Sequence, residues 1–271
     1  MMNSENIQVS GVAETMLQTM YARAVYSQKP GHKFYDGKAI EIAKAMNYDF
    51  SKADKDALMS SGVLARTILL DGMVKQFVDE NPNGTVVNIA CGLDTRFYRV
   101  DNGQIRWYNL DLPETIAVRR RFLREEGRGS MIPRSAMDLG WTDRIPPDGE
   151  KVLVVIEGLS MYLTQQEVGQ ILGIIAARFH KAKVVMEFMN PWVVGHVKEK
   201  SIEATQAKFT WGARSGEEIA ALCPAVRWVE DVSLVEGMKE LYPIYRVIGK
   251  IPALRNLSNK LAVLEVCKNG E

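Results

Sequence analysis

The stretch Thr85-Val86-Val87-Asn88-Ile89-Ala90-Cys91-Gly92-Leu93-Asp94-Thr95-Arg96 decides the fold of this chain. It begins with β-forming residues and ends in three small residues and an acid, which is typical of a buried parallel strand that turns sharply beneath a ligand. A second strand-like run, residues 105–110, is followed by Asp111, about 19 residues beyond Gly92. A glycine turn after one strand and an acid after the next are what hold an adenosine ribose in doubly wound folds.

The composition predicts one globular domain spanning residues 1–271. With 46% hydrophobic and 25% charged residues, the chain has the proportions of an ordinary globular protein with a full core. Its formal net charge is only +1, so no global field attracts nucleic acid or an anionic membrane, and neither is expected as a partner. The run Arg119-Arg120-Arg121 lies in a predicted helix and is interpreted as a solvated face.

Metal and export signals are not evident in the sequence. The three cysteines form no CxxC pair, and the three histidines form no ligand-spaced pair, so no metal is expected. The opening residues, MMNSE, show no basic or apolar signal-peptide region, and the longest apolar stretches are far too short to span a bilayer. We therefore expect a cytoplasmic protein.

The order of the predicted elements indicates an α/β fold. Residues 1–80 show helical spacing and no convincing strand, and are interpreted as an N-terminal helical cap, with Gly62 and Gly72 weakening its last helix. A doubly wound, seven-stranded, mostly parallel sheet follows in residues 85–271. Its predicted strands are residues 85–90, 105–110, 130–136, 151–156, 183–189, 226–232 and 261–267.

Two further features are predicted in the second half of the chain. Capping-box patterns at Thr164 and Ser215 each indicate the start of a helix. Between them, a helical excursion from the sheet is expected at about residues 191–214.

The residues of the turn favour one class of cofactor. A nucleoside triphosphate is set aside because no GxxxxGK[ST] pattern occurs. A dinucleotide needs GxGxxG, but Thr95 stands at the third glycine position, and Asp94 would place a negative charge near the pyrophosphate. That charge suits a sulfonium and an ammonium group better, which favours S-adenosylmethionine.

Four ordered stretches also resemble a known family. Residues 87–99, VNIACGLDTRFYR, are similar to the NLGxGxDTRxxR signature of the leucine carboxyl methyltransferase family, which includes bacterial O-methyltransferases of polyketide biosynthesis. The other stretches are SGVLART at 61–67, NLDLPE at 109–114 and IEGLSMYL at 156–163. One departure is Ala90, where the family usually has glycine. The resemblance implies a Rossmann-like class I methyltransferase that converts S-adenosylmethionine to S-adenosylhomocysteine.

The resemblance also implies contacts to the methionine and ribose parts of the cofactor. Arg66 would bind the methionine carboxylate, a bidentate role that suits a guanidinium group. Ala90 and Gly92 would pass close beneath the cofactor, and Asp111 would accept both ribose hydroxyls. Asp111 also has a local explanation, as the cap of the helix that begins at Pro113.

Further positions are implied for adenine and the reacting methyl group. Asp138, with Leu139, would contact the adenine, although Asp138 could equally be a turn residue. Glu157 would lie near the methionine ammonium and the methyl group, and a carboxylate after five apolar residues is costly to bury without a partner. No general base is compelling; the catalytic candidates are Glu157, Tyr21 and His196.

The predicted reaction is in-line displacement at the sulfonium methyl by an oxygen of a small molecule, possibly polyketide-like. A carboxylate is already ionised near pH 7, whereas a phenol, with a free pKa near 10, would gain from a base, so the carboxyl acceptor is favoured. The acceptor site is expected between the cap and the excursion, with aromatic lining from Tyr21, Tyr26, Phe34, Tyr35, Trp192 and Trp211.

Two hypotheses from other classes stay open at this point. One is a nicotinamide-dependent oxidoreductase, which would bind NAD despite Thr95. The other is a non-catalytic S-adenosylmethionine-binding protein, which would hold the cofactor without consuming its methyl group.

Overall fold

The structure is a computed structural model that describes residues 5–6, 12–50, 57–125, 127–146, 151–196 and 208–267. Its centre is a seven-stranded sheet in the order β5-β4-β3-β6-β7-β9-β8. The strands are β3 Thr85–Ile89, β4 Arg106–Asp111, β5 Gly129–Pro133, β6 Val152–Ile156, β7 Ala182–Phe188, β8 Val226–Ser233 and β9 Lys260–Val266. The first five pair in parallel, while β9 pairs antiparallel with β7 and β8. The predicted doubly wound, mostly parallel fold is confirmed.

Helices account for most of the remaining described residues. They are α1 Val12–Ser27, α2 Gly37–Ala45, α3 Ala57–Glu80, α4 Phe97–Val100, α5 Pro113–Phe122, α6 Gln165–Arg178, α7 Pro191–His196, α8 Gly216–Ala220, α9 Val235–Leu241, α10 Tyr245–Ile248 and α11 Pro252–Leu257. Short 3-10 helices lie at Leu139–Arg144 and Ser160–Tyr162.

The centre of the sheet is buried on both faces, because every residue of β3 and β6 is buried. Val86 faces a cluster with Leu70 and Val74 of α3, while its neighbour Val87 faces the opposite cluster, which includes Ile171 of α6. Successive side chains of a strand point to opposite faces, so an unbroken apolar strand requires helices on each side. Helix α3 is therefore a layer of the α/β sandwich.

The carboxyl ends of the central strands lie in register. Ile89 at the end of β3 lies beside Leu110 of β4 and Ile156 of β6. The residues that follow, Ala90, Asp111 and Glu157, therefore share one edge of the sheet. The connection after β3 leads to β4 on one side and the connection after β6 leads to β7 on the other, and open α/β sheets bind ligands at such a reversal of strand order.

The N-terminal region differs from its prediction in two details. A two-residue strand β1, Glu5–Asn6, pairs in parallel with β2, Met46–Asn47, although no strand was expected before residue 85. Helix α3 runs for 24 residues through Gly62 and Gly72 without interruption. Beyond its sequence neighbours and the nearby backbone of the helix, no atom lies within 4 Å of a Cβ built at either glycine, so neither position needs glycine for a close approach.

The second half agrees with its predicted helix starts. Thr164 begins α6 with a complete capping box, in which its hydroxyl and the carboxylate of Glu167 exchange hydrogen bonds with backbone N–H groups. Ser215 caps α8, but the carboxylate of Glu218 accepts from the N–H of Arg214 instead. Within the expected excursion, α7 covers only Pro191–His196, residues 208–214 are not helical, and residues 197–207 lie outside the described ranges.

Candidate active site

The turn after β3 brings the backbone against the base of a cavity. Ala90 has φ +55° and Gly92 has φ +46°, both in the left-handed region that L-residues avoid. A Cβ on Gly92 would lie 2.9 Å from Cβ of Met16 in α1. Glycine is thus required at position 92 because helix α1 crosses directly over the turn.

The cavity has a volume of about 240 Å³ and lies at the carboxyl edge of β3, β4 and β6, beneath α1. Its walls combine backbone of the turn with polar groups on one side and apolar side chains on the other. The lining includes Thr15, Met16, Arg66, Ala90, Gly92, Asp94, Asp111, Leu112, Ala136, Met137, Glu157, Leu163 and Ile171.

Asp111 is held in place by the backbone around it. Its Oδ2 accepts from the N–H of Gly92 at 2.8 Å, and its Oδ1 accepts from the N–H of Leu112 at 2.7 Å. Burial raises the pKa of Asp111 although these hydrogen bonds act to lower it. The carboxylate faces the cavity at the end of β4, the position that binds ribose hydroxyls in this type of sheet.

Arg66 connects two carboxylates at the opposite side of the cavity. Its Nε lies 2.8 Å from Oε1 of Glu157, and its Nη1 lies 3.1 Å from Oε2 of Glu187. Burial alone would raise the pKa of Glu157, but Arg96 and Arg66 hold it below its usual range. Arg66 and Glu157 therefore both line the cavity and contact each other there.

These residues belong to a connected network of buried charges. Among the residues that the structure describes, it contains four arginines and five carboxylates, none with a side chain more than 16% exposed, and these have one negative charge in excess. Its members are Arg23, Arg66, Arg96, Arg99, Asp36, Asp71, Asp94, Glu157 and Glu187. This excess negative charge fits a ligand with one net positive charge. S-adenosylmethionine is such a ligand, because its sulfonium and ammonium groups are positive and its carboxylate is negative.

Within this network Asp94 is paired more closely than expected. It accepts from Nη1 of Arg96 at 2.7 Å and from Nδ2 of Asn88 at 2.9 Å. Although its burial favours the neutral acid, Arg96 and Arg99 hold the pKa of Asp94 well below its usual range. Its own charge is thus offset by arginine, and the excess negative charge is a property of the whole network.

Arg119 contradicts the interpretation of the arginine run as a solvated face. It is 1% exposed, and its Nη1 donates to the carbonyl oxygens of Gly92 at 2.9 Å and Asp94 at 2.7 Å. The guanidinium is further paired with Glu125, which is also buried. Arg119 shares its helix face with the buried Thr115 and Ile116, and this spacing was the signal that could have identified it.

Four predicted site residues lie away from the cavity lining. Asp138 caps a 3-10 helix and pairs with Arg134 at 2.6 Å, with a side chain 45% exposed, and Leu139 is exposed beside it. Tyr21 stacks on Phe50 with ring centroids 4.1 Å apart. His196 is exposed and stacks on Trp192.

A second cavity of about 100 Å³ adjoins the first, between α1, α3 and the segments that follow β6 and β7. Thr15, Thr19, Arg66 and Gly158 line both cavities. The aromatic residues of its lining are Tyr162 and Phe209. None of the six aromatic residues expected from the sequence lines this cavity. Trp211, for example, packs against the main core instead.

The described ranges contain no group of three or more His, Cys, Asp or Glu side chains arranged to hold a metal ion. None of the helices in these ranges has the length and hydropathy of a membrane-spanning segment.

The fold and sequence are similar to those of methyltransferases. The chain is 30% identical to the tetracenomycin polyketide synthesis O-methyltransferase TcmP of Streptomyces glaucescens, over 93% of this chain and 96% of that protein. It is 27% identical to the S-adenosyl-L-methionine-dependent methyltransferase dpfgK of Gibberella zeae, over 87% of this chain and 86% of that protein.

The similarity to solved structures supports the fold but no particular function, because the sequence identities are low. A DUF574 family protein of Streptomyces avermitilis superposes with a TM-score of 0.61 at 13% identity, over 95% of this chain and 98% of that one. Magnesium protoporphyrin IX methyltransferase of Synechocystis, with bound S-adenosylmethionine, superposes with a TM-score of 0.51 at 10% identity, over 87% and 99%.

The leucine carboxyl methyltransferase model matches residues 12–176, more than half of the chain. That span contains the turn after β3, Arg66, Asp111 and Glu157, the residues that enclose the cavity. The chain is an S-adenosylmethionine-dependent methyltransferase and belongs to the leucine carboxyl methyltransferase family.

Proposed function

We propose that this enzyme methylates a carboxylate oxygen of a small molecule, with a hydroxyl oxygen as the less favoured acceptor. The observation that carries the proposal is that both carboxylates at the junction of the two cavities are bound to Arg66. Arg96 and Arg66 hold the pKa of Glu157 below its usual range, which makes that carboxylate a poor proton acceptor. The acceptor oxygen must therefore arrive already ionised, which a carboxylate does near pH 7.

The individual candidates for a general base support the same choice. Glu157 has a lowered pKa because Arg96 and Arg66 outweigh its burial, so it binds a proton weakly. Glu187 accepts from Arg66, from the N–H of Gly158 at 2.9 Å and from Nδ2 of Asn259 at 3.2 Å. Tyr21 and His196 line neither cavity.

Five residues are proposed to hold the cofactor: Arg66, Ala90, Gly92, Asp111 and Glu157, all of which line the first cavity. Bound there, S-adenosylmethionine supplies an electrophilic methyl group. The chain contributes a fixed carboxylate at Asp111 for the ribose and a negatively charged network for the methionine end. Asp138 and Leu139 stay predictions for the adenine, because neither lines the cavity, whereas Ala136 and Met137 before them do.

The acceptor class, the partners and the cell compartment are also proposals. The name of the Streptomyces glaucescens relative associates that protein with polyketide synthesis, which supports a polyketide-like acceptor here. The formal charge of +1 supports action on a free small molecule without nucleic acid or a membrane. We propose that the enzyme acts in the cytoplasm.

The test joins cofactor binding to an acceptor screen. Calorimetric titration with S-adenosylhomocysteine should show binding to the wild type and at least tenfold weaker binding to Asp111→Asn, which retains an acceptor for the Gly92 N–H. Methyl transfer from labelled S-adenosylmethionine is then measured on matched carboxylic acids and phenols between pH 6 and pH 8. Ester formation at a rate that does not rise with pH supports the proposal. A protein that binds cofactor but methylates nothing, or that methylates only phenols, contradicts it.

A further inference from the structure

The second cavity is placed to receive the acceptor. It shares Thr15, Thr19, Arg66 and Gly158 with the cofactor cavity, so its contents abut whatever lies beside Glu157. Much of the remaining wall is apolar and adaptable, with Met59, Met161, Met189 and Phe209. Thioether and aromatic side chains suit the body of an apolar or aromatic molecule.

Gln18 is the unusual member of this wall. It lies on α1 and is only 3% exposed, yet its Nε2 has no hydrogen-bond partner among the residues that the structure describes. A buried amide donor without a partner destabilises the fold, because the lost hydrogen bonds to water are not replaced. Such a group needs a reason, and a ligand that supplies the missing acceptor is one.

Several other donors of the same wall are already engaged. Arg66 forms ion pairs with Glu157 and Glu187, although its Nε, which lies 2.8 Å from Oε1 of Glu157, also makes no aligned hydrogen bond. Nδ2 of Asn259 donates to Glu187. The hydroxyl of Thr19 donates to the carbonyl oxygen of Met16 at 3.0 Å. The amide of Gln18 is thus available for a molecule that enters the cavity.

We propose that Gln18 binds the acceptor, by donating a hydrogen bond from Nε2 to the carboxylate oxygen that is not methylated. The inference rests on the proposed function, because it takes the acceptor to be a carboxylate with an apolar or aromatic body. A carboxylate presents two oxygens, and only one can attack the methyl group. A neutral donor on the other oxygen fixes the orientation of the carboxylate and leaves its negative charge in place. An ion pair with arginine would instead neutralise that charge.

The test compares Gln18→Met with a matched control, Gln28→Met. Both variants replace a glutamine by an apolar side chain of similar length. Gln18 lies within α1, whereas Gln28 follows the last residue of α1, is exposed and donates to the carbonyl oxygen of Ala24. Three quantities are measured on each protein: the melting temperature, the Kd for S-adenosylhomocysteine, and the Kd of benzoate and of 2-naphthoate for the S-adenosylhomocysteine complex.

A ligand-binding role predicts an unusual combination for Gln18→Met. Removing the unpaired donor should raise the melting temperature by about 2–6 °C. The Kd for S-adenosylhomocysteine should stay within about twofold, while the Kd for the carboxylate that binds the wild type should rise about tenfold or more. Gln28→Met should match the wild type in affinity for both ligands.

Three results would overturn the inference. A fall in the melting temperature of Gln18→Met shows that the glutamine supports the fold, and unchanged carboxylate affinity shows that it does not touch the acceptor. Failure of the wild-type complex to bind either carboxylate shows that the cavity does not take this class. The proposed function fails separately, when the wild type binds no S-adenosylhomocysteine or forms no methyl ester in the acceptor screen.

Discussion

Glu157→Gln tests whether the excess negative charge of the buried network selects the charged cofactor over its neutral-sulfur product. The substitution keeps the shape of the side chain and one of its oxygens, and it removes the excess charge. Arg66 stays paired with Glu187, and Arg96 with Asp71 and Asp94, so neither arginine loses all its partners. We therefore expect a folded protein, with a free energy of unfolding lower by about 1–3 kcal/mol.

The magnitude of the binding effect follows from the charge that distinguishes the two ligands. S-adenosylmethionine carries a sulfonium charge, whereas S-adenosylhomocysteine has a neutral thioether. Two unit charges about 6–10 Å apart within one cavity interact by roughly 2–3 kcal/mol at an effective dielectric constant of about 20. The affinity for S-adenosylmethionine should therefore fall about 10- to 100-fold more than the affinity for S-adenosylhomocysteine.

The assay is calorimetric titration of wild type and variant with each ligand, and the readout is the ratio of the two Kd values. Any general loosening of the site weakens both ligands and cancels in this ratio. Glu265→Gln is the control, because Glu265 forms an exposed ion pair with Arg227 and lies outside the network. An equal loss of affinity for both ligands would refute the claim that the excess charge recognises the sulfonium.

Three further outcomes follow from the backbone of the turn and from the network. Gly92→Ala should lower the free energy of unfolding by about 2–4 kcal/mol in chemical denaturation, because it adds left-handed strain and a clash with Met16. Gly103→Ala is the control, since Gly103 has φ +79° and no atom within 4 Å of a built Cβ. It should show the strain alone, a loss of about 1–2 kcal/mol. Ala90→Gly should raise that free energy by about 0.5 kcal/mol, because the relief of strain at φ +55° exceeds the entropy cost of glycine, and a clear loss of stability would contradict this. Burial acts to raise the pKa of Asp36, but Arg23 and Arg99 leave it below its usual value, so its carboxylate stabilises the fold above about pH 4 and this contribution is lost as the pH falls through the lowered pKa. The difference in unfolding free energy between wild type and Asp36→Asn should accordingly shrink from pH 6 to pH 3, and a constant difference would count against it.

The sequence predicted what depends on local pattern. Strand positions and the capping box at Thr164 follow from apolar runs and turn residues that act within a few positions. The parallel register then brings Ala90, Asp111 and Glu157 together without further information. Helix α3 was harder to place, because an amphipathic pattern shows that a helix buries one face but not which surface it covers.

The partners of buried charges could not be predicted in the same way. Asp36 and Asp71 lie far from the turn in sequence, and nothing in their own neighbourhoods shows that they face Arg96 and Arg99. Arg119 was misinterpreted because charge suggested solvent, although its helical phase put it on the buried face. Contacts between distant segments depend on packing, which local sequence does not encode.

The residues of the family signature, 87–99, have two different roles, one in the cofactor cavity and one in the attachment of other segments. Its first half, Ala90 and Gly92, forms the base of the cofactor cavity, whereas Thr95 and Arg96 are buried and do not line that cavity. The hydroxyl of Thr95 donates to Asp36 at 2.6 Å, ahead of α2, and Arg96 pairs with Asp71 of α3.

These contacts attach α3 and the segment before α2 to the turn. Arg23 of α1 pairs with the same Asp36 and donates to the carbonyl oxygen of Leu93, which holds α1 over the cavity. Apolar residues could make such an attachment at a lower desolvation cost than buried ion pairs. They could not leave a negative charge in excess beside the cavity. We infer that the network is charged because one set of residues has to position α1 and also provide the electrostatic environment for a cationic cofactor.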